Sequence, residues 1–282
     1  MNSPIKKSLT LLLLLLSSVA FSQKDTTFTK LSERYELSAV AELGFLAVLD
    51  HKIQFSNSGT YFDYRRNGGQ NVLFPINRWS LELKSKRNTF YALYQPLRLE
   101  STVLLLEDLV VEEGTFSAGT GVNLLYNFPF YRMSYTREFA HNSPNFDFAF
   151  GGTIQIRNAT ITFESTDGSM FRANRDIGIV PAFKIKSTYH FNKVFYTELE
   201  ADGIYAPVSY LNGSDNEIVG AILDGSLRVG AQVEDHVKAY VNMRYLGGGA
   251  VGTSDDEPGP GDGYVKNWLH FMTVTAGLRY EF

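Results

Sequence analysis

No cysteine occurs in this chain of 282 residues. That excludes disulfides and a cysteine lipid anchor, so stability must come from another source. Without cysteine, and with five scattered histidines, there is no zinc pattern either. Charge of one sign is also scarce. The formal net charge is −4, far from the basic balance of a nucleic-acid binder. Proline is modest at 9 residues. Beyond the N-terminus no apolar run is long enough for a membrane helix. A membrane location would therefore require a closed barrel, since only helices and closed barrels satisfy every backbone group in lipid. What is present in quantity is Phe (21), Tyr (16) and Gly (24), a mixture that favours strands and turns.

The one long apolar run is N-terminal. Lys6 and Lys7 precede Leu9 to Ala20, and Ala20-Phe21-Ser22 supplies the small-x-small pattern of a signal-peptidase site. The run is about 12 residues, short of the about 20 that span a bilayer as a helix. Residues 1–22 are read as a secretory signal peptide, with the mature chain starting at Gln23, and 23–34 as a polar periplasmic lead. Residues 35–282 are read as one all-β domain.

Alternation marks strands over Tyr35 to Phe55, Leu73 to Lys86, Phe90 to Val111, Val122 to Phe139, Phe146 to Glu164, Ile179 to Phe191, Phe195 to Tyr210, Ile218 to Glu234, Val237 to Gly247 and Trp268 to Phe282. Val40 to Leu49 is apolar on both faces, and phase slips fall near Asn158 and at Phe128-Pro129-Phe130. Long turn-rich loops follow the odd strands: Ser56 to Gln70, Glu112 to Gly119, Ser165 to Asp176, Asn212 to Asn216 and Gly248 to Gly263. Short turns follow the even ones, at Arg87-Asn88, His141 to Asn145, Asn192-Lys193 and Asp235-His236. An antiparallel transmembrane β-barrel of about ten strands has this asymmetry, with short turns and termini on the periplasmic side.

In the last strand Met272, Val274, Ala276, Leu278, Tyr280 and Phe282 share one face; Thr273, Thr275, Gly277, Arg279 and Glu281 share the other. This resembles the closing strand of Gram-negative outer-membrane β-barrels, whose terminal aromatic residue is read by the assembly machinery. The resemblance implies a place in the bacterial outer membrane and an assembly signal in Leu278, Tyr280 and Phe282. It also implies outer-membrane lipid and the barrel assembly machinery as partners.

The polar face carries charges of both signs: Lys184 and Lys186; Glu198, Glu200 and Asp202; Asp224, Arg228 and Glu234; Lys238 and Arg244. With a three-residue loop from Asn192 to Val194, Lys186 lies opposite Glu200 and Lys184 opposite Asp202, a favourable arrangement. Glu234 and Lys238 are expected to pair across the next turn. A barrel of about ten strands is narrow, so these residues are expected to form a lumen network. Aromatics near strand ends, among them Tyr131, Tyr135, Tyr189, Phe191 and Tyr245, suit interfacial girdles.

Other motifs carry less. His141-Asn142-Ser143 resembles the His-x-Ser segment of lipid A deacylases, with Glu138 as a possible acid, but it falls in a short turn. Asp255, Asp256, Glu257 and Asp262 lack the alternate spacing of a calcium loop. Asp50 and His51 adjoin on the first strand without a nucleophile nearby in sequence. Pro96 and Pro129 interrupt strands and require a bulge or a local opening, one use of which is lateral access for a lipid chain. No catalytic residue, metal or cofactor is assigned. The reading is a small monomeric barrel with a structural or surface-interaction role. Its rivals are a lipid-modifying or lipid-binding barrel and a narrow passive channel.

Deleting Phe282 should lower the yield of heat-modifiable barrel in outer-membrane fractions; unchanged yield would remove its role as an assembly signal.

Overall fold

A strand crossing a membrane barrel must meet lipid with one row of side chains and the lumen with the other. The computed structural model describes residues 35–139, 143–207, 218–253 and 262–282; the signal segment and the lead lie outside the described residues. The strands are β1 (Glu36–Phe55), β2 (Phe62–Asp63), β3 (Leu73–Ser85), β4 (Asn88–Gln95), β5 (Arg98–Leu104), β6 (Leu109–Val111), β7 (Gly114–Phe116), β8 (Gly121–Asn127), β9 (Phe130–Glu138), β10 (Phe146–Ser165), β11 (Phe171–His190), β12 (Phe195–Pro207), β13 (Val219–Glu234), β14 (Val237–Thr253) and β15 (Tyr264–Glu281). Ten of them close an antiparallel ring in the order β10, β11, β12, β13, β14, β15, β1, β3, β4, β9 and back to β10. First and last strands zip together from Ser38 opposite Glu281 to Phe55 opposite Val265.

The outward row is apolar and exposed. Leu43, Phe45, Leu81, Met133, Ile154, Phe183, Val241 and Leu278 are each more than half exposed, whereas the inward Glu42, Arg132, Lys184 and Asp202 are no more than 4% exposed. A water-soluble barrel has the reverse arrangement; a barrel whose solvent is lipid has this one. Trp79, Tyr94, Tyr131, Tyr245, Tyr280 and Phe282 stand near the ends of the outward rows, and Tyr94 stacks on Tyr131 at 5.1 Å between ring centroids.

Halfway along the strands the inward row changes character. On β15 the inward Arg279, Thr275 and Thr273 give way to Phe271 and Leu269; on β10 Thr153 and Gln155 give way to Ala159, Ile161 and Phe163. Above the same level the outward row turns polar, as at Asp50, Lys52 and Gln54 on β1. The apparent phase slip at Asn158 is therefore no bulge: β10 and β11 keep an unbroken register from Phe146 to Glu164. The apolar residues change sides because the strand leaves lipid and enters a cap with its own core. The dual apolar stretch Val40 to Leu49 has the same origin, with outward residues meeting lipid and Leu46 and Val48 entering the cap core.

Several boundaries differ from the sequence reading. The expected strand Phe90 to Val111 is β4, β5 and β6, broken at Pro96, and the strand through Pro129 is β8 and β9. Residues expected in the loop Ser165 to Asp176 extend β11 down to Phe171, and Gly248 to Thr253 extend β14. Long hairpins project beyond the lipid belt because their tips pack in the cap. At the Pro96 break β5 pairs with β8 alone. Leu73 to Arg78 of β3 keep β1 as their strand partner on one edge, and none of the described residues pairs in a ladder on the other. Pro75 and Pro96 flank that gap, and neither has an N–H to give to a ladder. The segment Ser56 to Val72 packs behind it. The Ser101 hydroxyl donates to the Gly68 carbonyl at 2.5 Å, and Gly69, at φ 71°, brings the backbone against Val103.

Phe271→Ala should cost about 3–5 kcal/mol of stability in urea unfolding of the detergent-solubilised barrel, and lipid-facing Leu278→Ala clearly less. Equal losses would mean that Phe271 does not sit in a packed core.

Candidate functional site

Inward-facing charges from neighbouring strands converge because the wall is too narrow to keep them apart. Arg228 on β13 is the hub: its guanidinium contacts Glu198, Glu200 at 3.1 Å and Glu42 at 3.3 Å. Lys184 on β11 donates to Glu200 at 2.5 Å and Asp202 at 3.0 Å. Arg244 on β14 grips Asp224 with two N–H groups at 2.5 and 2.6 Å and donates to Gln95 at 2.5 Å. Two-point contacts of this kind fix orientation as well as charge. Arg132 on β9 joins Asp224 at 2.5 Å and Gln155 at 2.6 Å. Glu42 also accepts from Tyr240, Asn242 and Thr275 at 2.9–3.2 Å. Toward the short turns Lys186 meets Glu198 at 3.0 Å and Glu82 at 3.5 Å, and Arg279 meets Glu82 at 2.9 Å. Every strand of the ring contributes a member. The spare N–H groups belong mainly to arginines, among them Arg78, Arg132, Arg228 and Arg279, whose five donors each outnumber the acceptors in reach.

Lys184, Lys186, Glu198, Glu200, Asp202, Asp224, Arg228 and Arg244 lie together in this ionic tier. Lys186 lies opposite Glu200 and Lys184 opposite Asp202 in the ladder. Lys184 pairs with Asp202 as expected, whereas the other pairs of these two residues run diagonally. Lys186 reaches Glu198 and Glu82, and Glu200 is held by Lys184, Arg228 and Arg78. Glu234 is a correction: it is exposed at the barrel mouth. A register shift between Gln232 and Glu234 sets Lys238 opposite Gln232, and Lys238 pairs instead with Glu281 at 2.5 Å. Sequence reasoning left out Glu42, Arg78, Glu82, Arg132 and Arg279. The polar rows of their strands already held Arg78, Glu82 and Arg279, so period two was signal enough for those. Glu42 stands alone in an apolar stretch, and Arg132 follows the Pro129 break. Leu278, Tyr280 and Phe282 point outward from the closing strand.

A vestibule of about 240 Å³ opens at the short-turn end, floored by Glu82, Lys186, Glu198 and Arg279 and rimmed by the pairs Lys84–Glu138 and Lys238–Glu281. At the other end the ionic tier is roofed by the apolar cap core. There Phe163 packs against Phe55, Phe62 and Tyr64, with centroids 6.0–6.3 Å apart. The ionic tier and the apolar tier are thus stacked one above the other inside the barrel.

Of the remaining motifs, His141, Asn142 and Asp255 to Glu257 lie outside the described residues, and Glu138 is engaged by Lys84 at 2.7 Å. Asp262 accepts from the backbone and side chain of Asn57 at 2.9 and 3.0 Å, and these bonds hold its carboxyl below the usual range. Asp50 points outward to Lys52 at 3.0 Å, whereas His51 turns into the cap core.

No protein-family model and no curated protein matches the chain. Among solved structures it is similar to the outer membrane protease OmpT of Escherichia coli, at 13% identity and a TM-score of 0.48 over 88% of this chain and 97% of that one. It is also similar to a Pseudomonas aeruginosa FadL homologue, at 8% and 0.39 over 88% and 90%. A third likeness is to Neisserial surface protein A, at 12% and 0.31 over 88% and 97%. At these values the likenesses carry no argument about role, which has to come from the chain's own residues.

Arg228→Ala leaves Glu42, Glu198 and Glu200 short of a cation and should cost about 3–5 kcal/mol. Lys238→Ala, at the wet rim, should cost at most about 1 kcal/mol. Urea unfolding in micelles measures both; similar losses would mean that the central pairs are as well hydrated as the rim.

Proposed function

We propose that this protein is an outer-membrane barrel with a sealed lumen, whose working surface is its extracellular cap. The lipid-like exterior supports the location, together with the N-terminal segment read as a signal peptide and the closing strand that ends in aromatics. The observation that carries the role is the double filling of the lumen. A pore needs a continuous wet path, and here an ion-paired tier is stacked on an apolar one. The reading leaves the cap to do the work: the segment from Ser56 to Val72, the β6–β7 hairpin and the tip of the β10–β11 hairpin. The barrel is then a monomeric pedestal, placed by the assembly machinery and solvated by outer-membrane lipid, that presents this surface to partners outside the cell. Binding of a lipid is the second reading, favoured by the gap between β3 and β5 beside the exposed Leu73 and Trp79. An acyl chain retained there should co-purify with the protein and be lost on Leu73→Asp.

Planar-bilayer recordings should show no steady conductance of porin size, and large stable openings would overturn the sealed lumen. An epitope at Gly168, on the β10–β11 tip, should be reached by antibody on intact cells, and one at Lys193 should not. The opposite labelling would invert the orientation.

A further inference from the structure

The segment from Ser56 to Val72 is fastened to the barrel around one histidine. His51 is fully buried on the inward face of β1. It stands above the lipid belt, where the outward neighbours on its strand are Asp50, Lys52 and Gln54. Its ring is stacked on Tyr64 of the segment at 4.5 Å and meets Tyr126 of β8 edge-on at 4.4 Å. Its Nδ1 is 2.7 Å from the side-chain oxygen of Gln70, and its backbone carbonyl accepts from Tyr64 N–H at 2.9 Å. With an oxygen facing Nδ1, that nitrogen carries the proton of the neutral ring. Nε2 is then a bare lone pair, and no partner for it lies among the described residues. A second proton would place an N–H there, inside an aromatic pocket without an acceptor.

None of the charged groups around the ring hydrogen-bonds Nε2. Asp63 of the segment is occupied by the backbone N–H groups of Arg65 and Arg66 at 3.0 and 2.9 Å, and Arg65 donates to the Val48 carbonyl at 3.1 Å. Asp50 and Lys52 pair with each other on the outer face. On β15 Asn267 donates to the Tyr126 hydroxyl at 3.2 Å, and Lys266 lies over Tyr61. The Arg157–Asp176 pair of β10 and β11 acts on Tyr126 and does not touch the imidazole.

We propose that neutral His51 is a proton-sensitive latch, holding the segment from Ser56 to Val72 in the cap and loosening it when the outside turns acid. Burial pulls the imidazole down to about 4, opposed by the Gln70 bond and the more distant Asp50 and Asp63. The docked form therefore binds fewer protons than the released one, where the ring titrates near 6.5. Docking is strongest above that pH, weakens as pH falls through the interval, and loses no more below about 4. Because the ionic tier lies beneath, release would bare the cap core without opening a pore. The inference goes beyond the sealed-lumen reading and does not depend on conductance.

Hydrogen exchange of the detergent-solubilised full chain tests this, with rates normalised to the intrinsic exchange rate at each pH. Between pH 7 and pH 4 the opening equilibrium of residues 56–72 should rise by about a hundredfold, while peptides of β13 to β15 change far less. In His51→Phe and His51→Gln the same segment should show no such rise; the second variant serves if the first fails to give a heat-modifiable barrel. A wild-type rise below about threefold would overturn the latch. So would an equal rise in the variants, or parallel opening of all peptides.

Discussion

A charge inside a wall of ten strands has no bulk water to solvate it, so it must find its opposite in a neighbouring strand. That requirement organises the lower half of this molecule. Desolvating an ion costs several kcal/mol, and the cost is offset only where geometry and further hydrogen bonds are good. Around Arg228 the conditions are met by carboxylates from β1 and β12, themselves bonded to groups on β3, β11, β14 and β15. Pairs that cross several strands tie the ring in a way that neighbour-to-neighbour ladder bonds cannot. They also favour one register: a one-residue slip of any strand would turn its charge toward lipid.

The upper half obeys a different rule. Once the strands leave the lipid, their outer face meets water, and the only place left to bury apolar surface is inside. On β1, β10 and β15 the inward row therefore becomes Leu, Ile and Phe, and the cap acquires a core like that of a soluble domain. Closing that core requires more chain than the ring supplies, because β5 departs from β3 at Pro96. The segment after β1 fills the gap and brings Phe62, Tyr64 and Gln70 inward. The barrel interior is held by two chemistries that respond to different perturbations: ion pairing below and apolar packing around a buried histidine above.

Much of this was legible in the sequence. Period two in the strands and alternating connection lengths predicted a closed antiparallel barrel of about ten strands, and residue counting across Asn192 to Val194 predicted the β11–β12 register. Illegible was the switch of faces. A strand that is apolar outward and then apolar inward looks, in one dimension, like a strand with a bulge, as at Asn158. Diagonal ion pairing was also hidden, because side-chain reach and strand twist choose among several carboxylates that the ladder places within range. Glu42 could not be singled out at all, since its partners lie as far away in sequence as Arg228 and Asn242.

The claim on which the rest depends is that both tiers exclude water. The absence of native cysteine makes a direct measurement available: single cysteines placed inside the folded barrel and challenged with a small charged thiol reagent. Ser226 in the ionic tier and Leu124 in the cap core are both buried, whereas Glu281 at the mouth and Gly168 at the hairpin tip are accessible. Cysteine at the first two positions should stay unmodified at neutral pH in barrels that remain heat-modifiable, while the last two react fully. Reaction at Ser226 or Leu124 at the rate seen at the rim would show a wet interior and contradict the account.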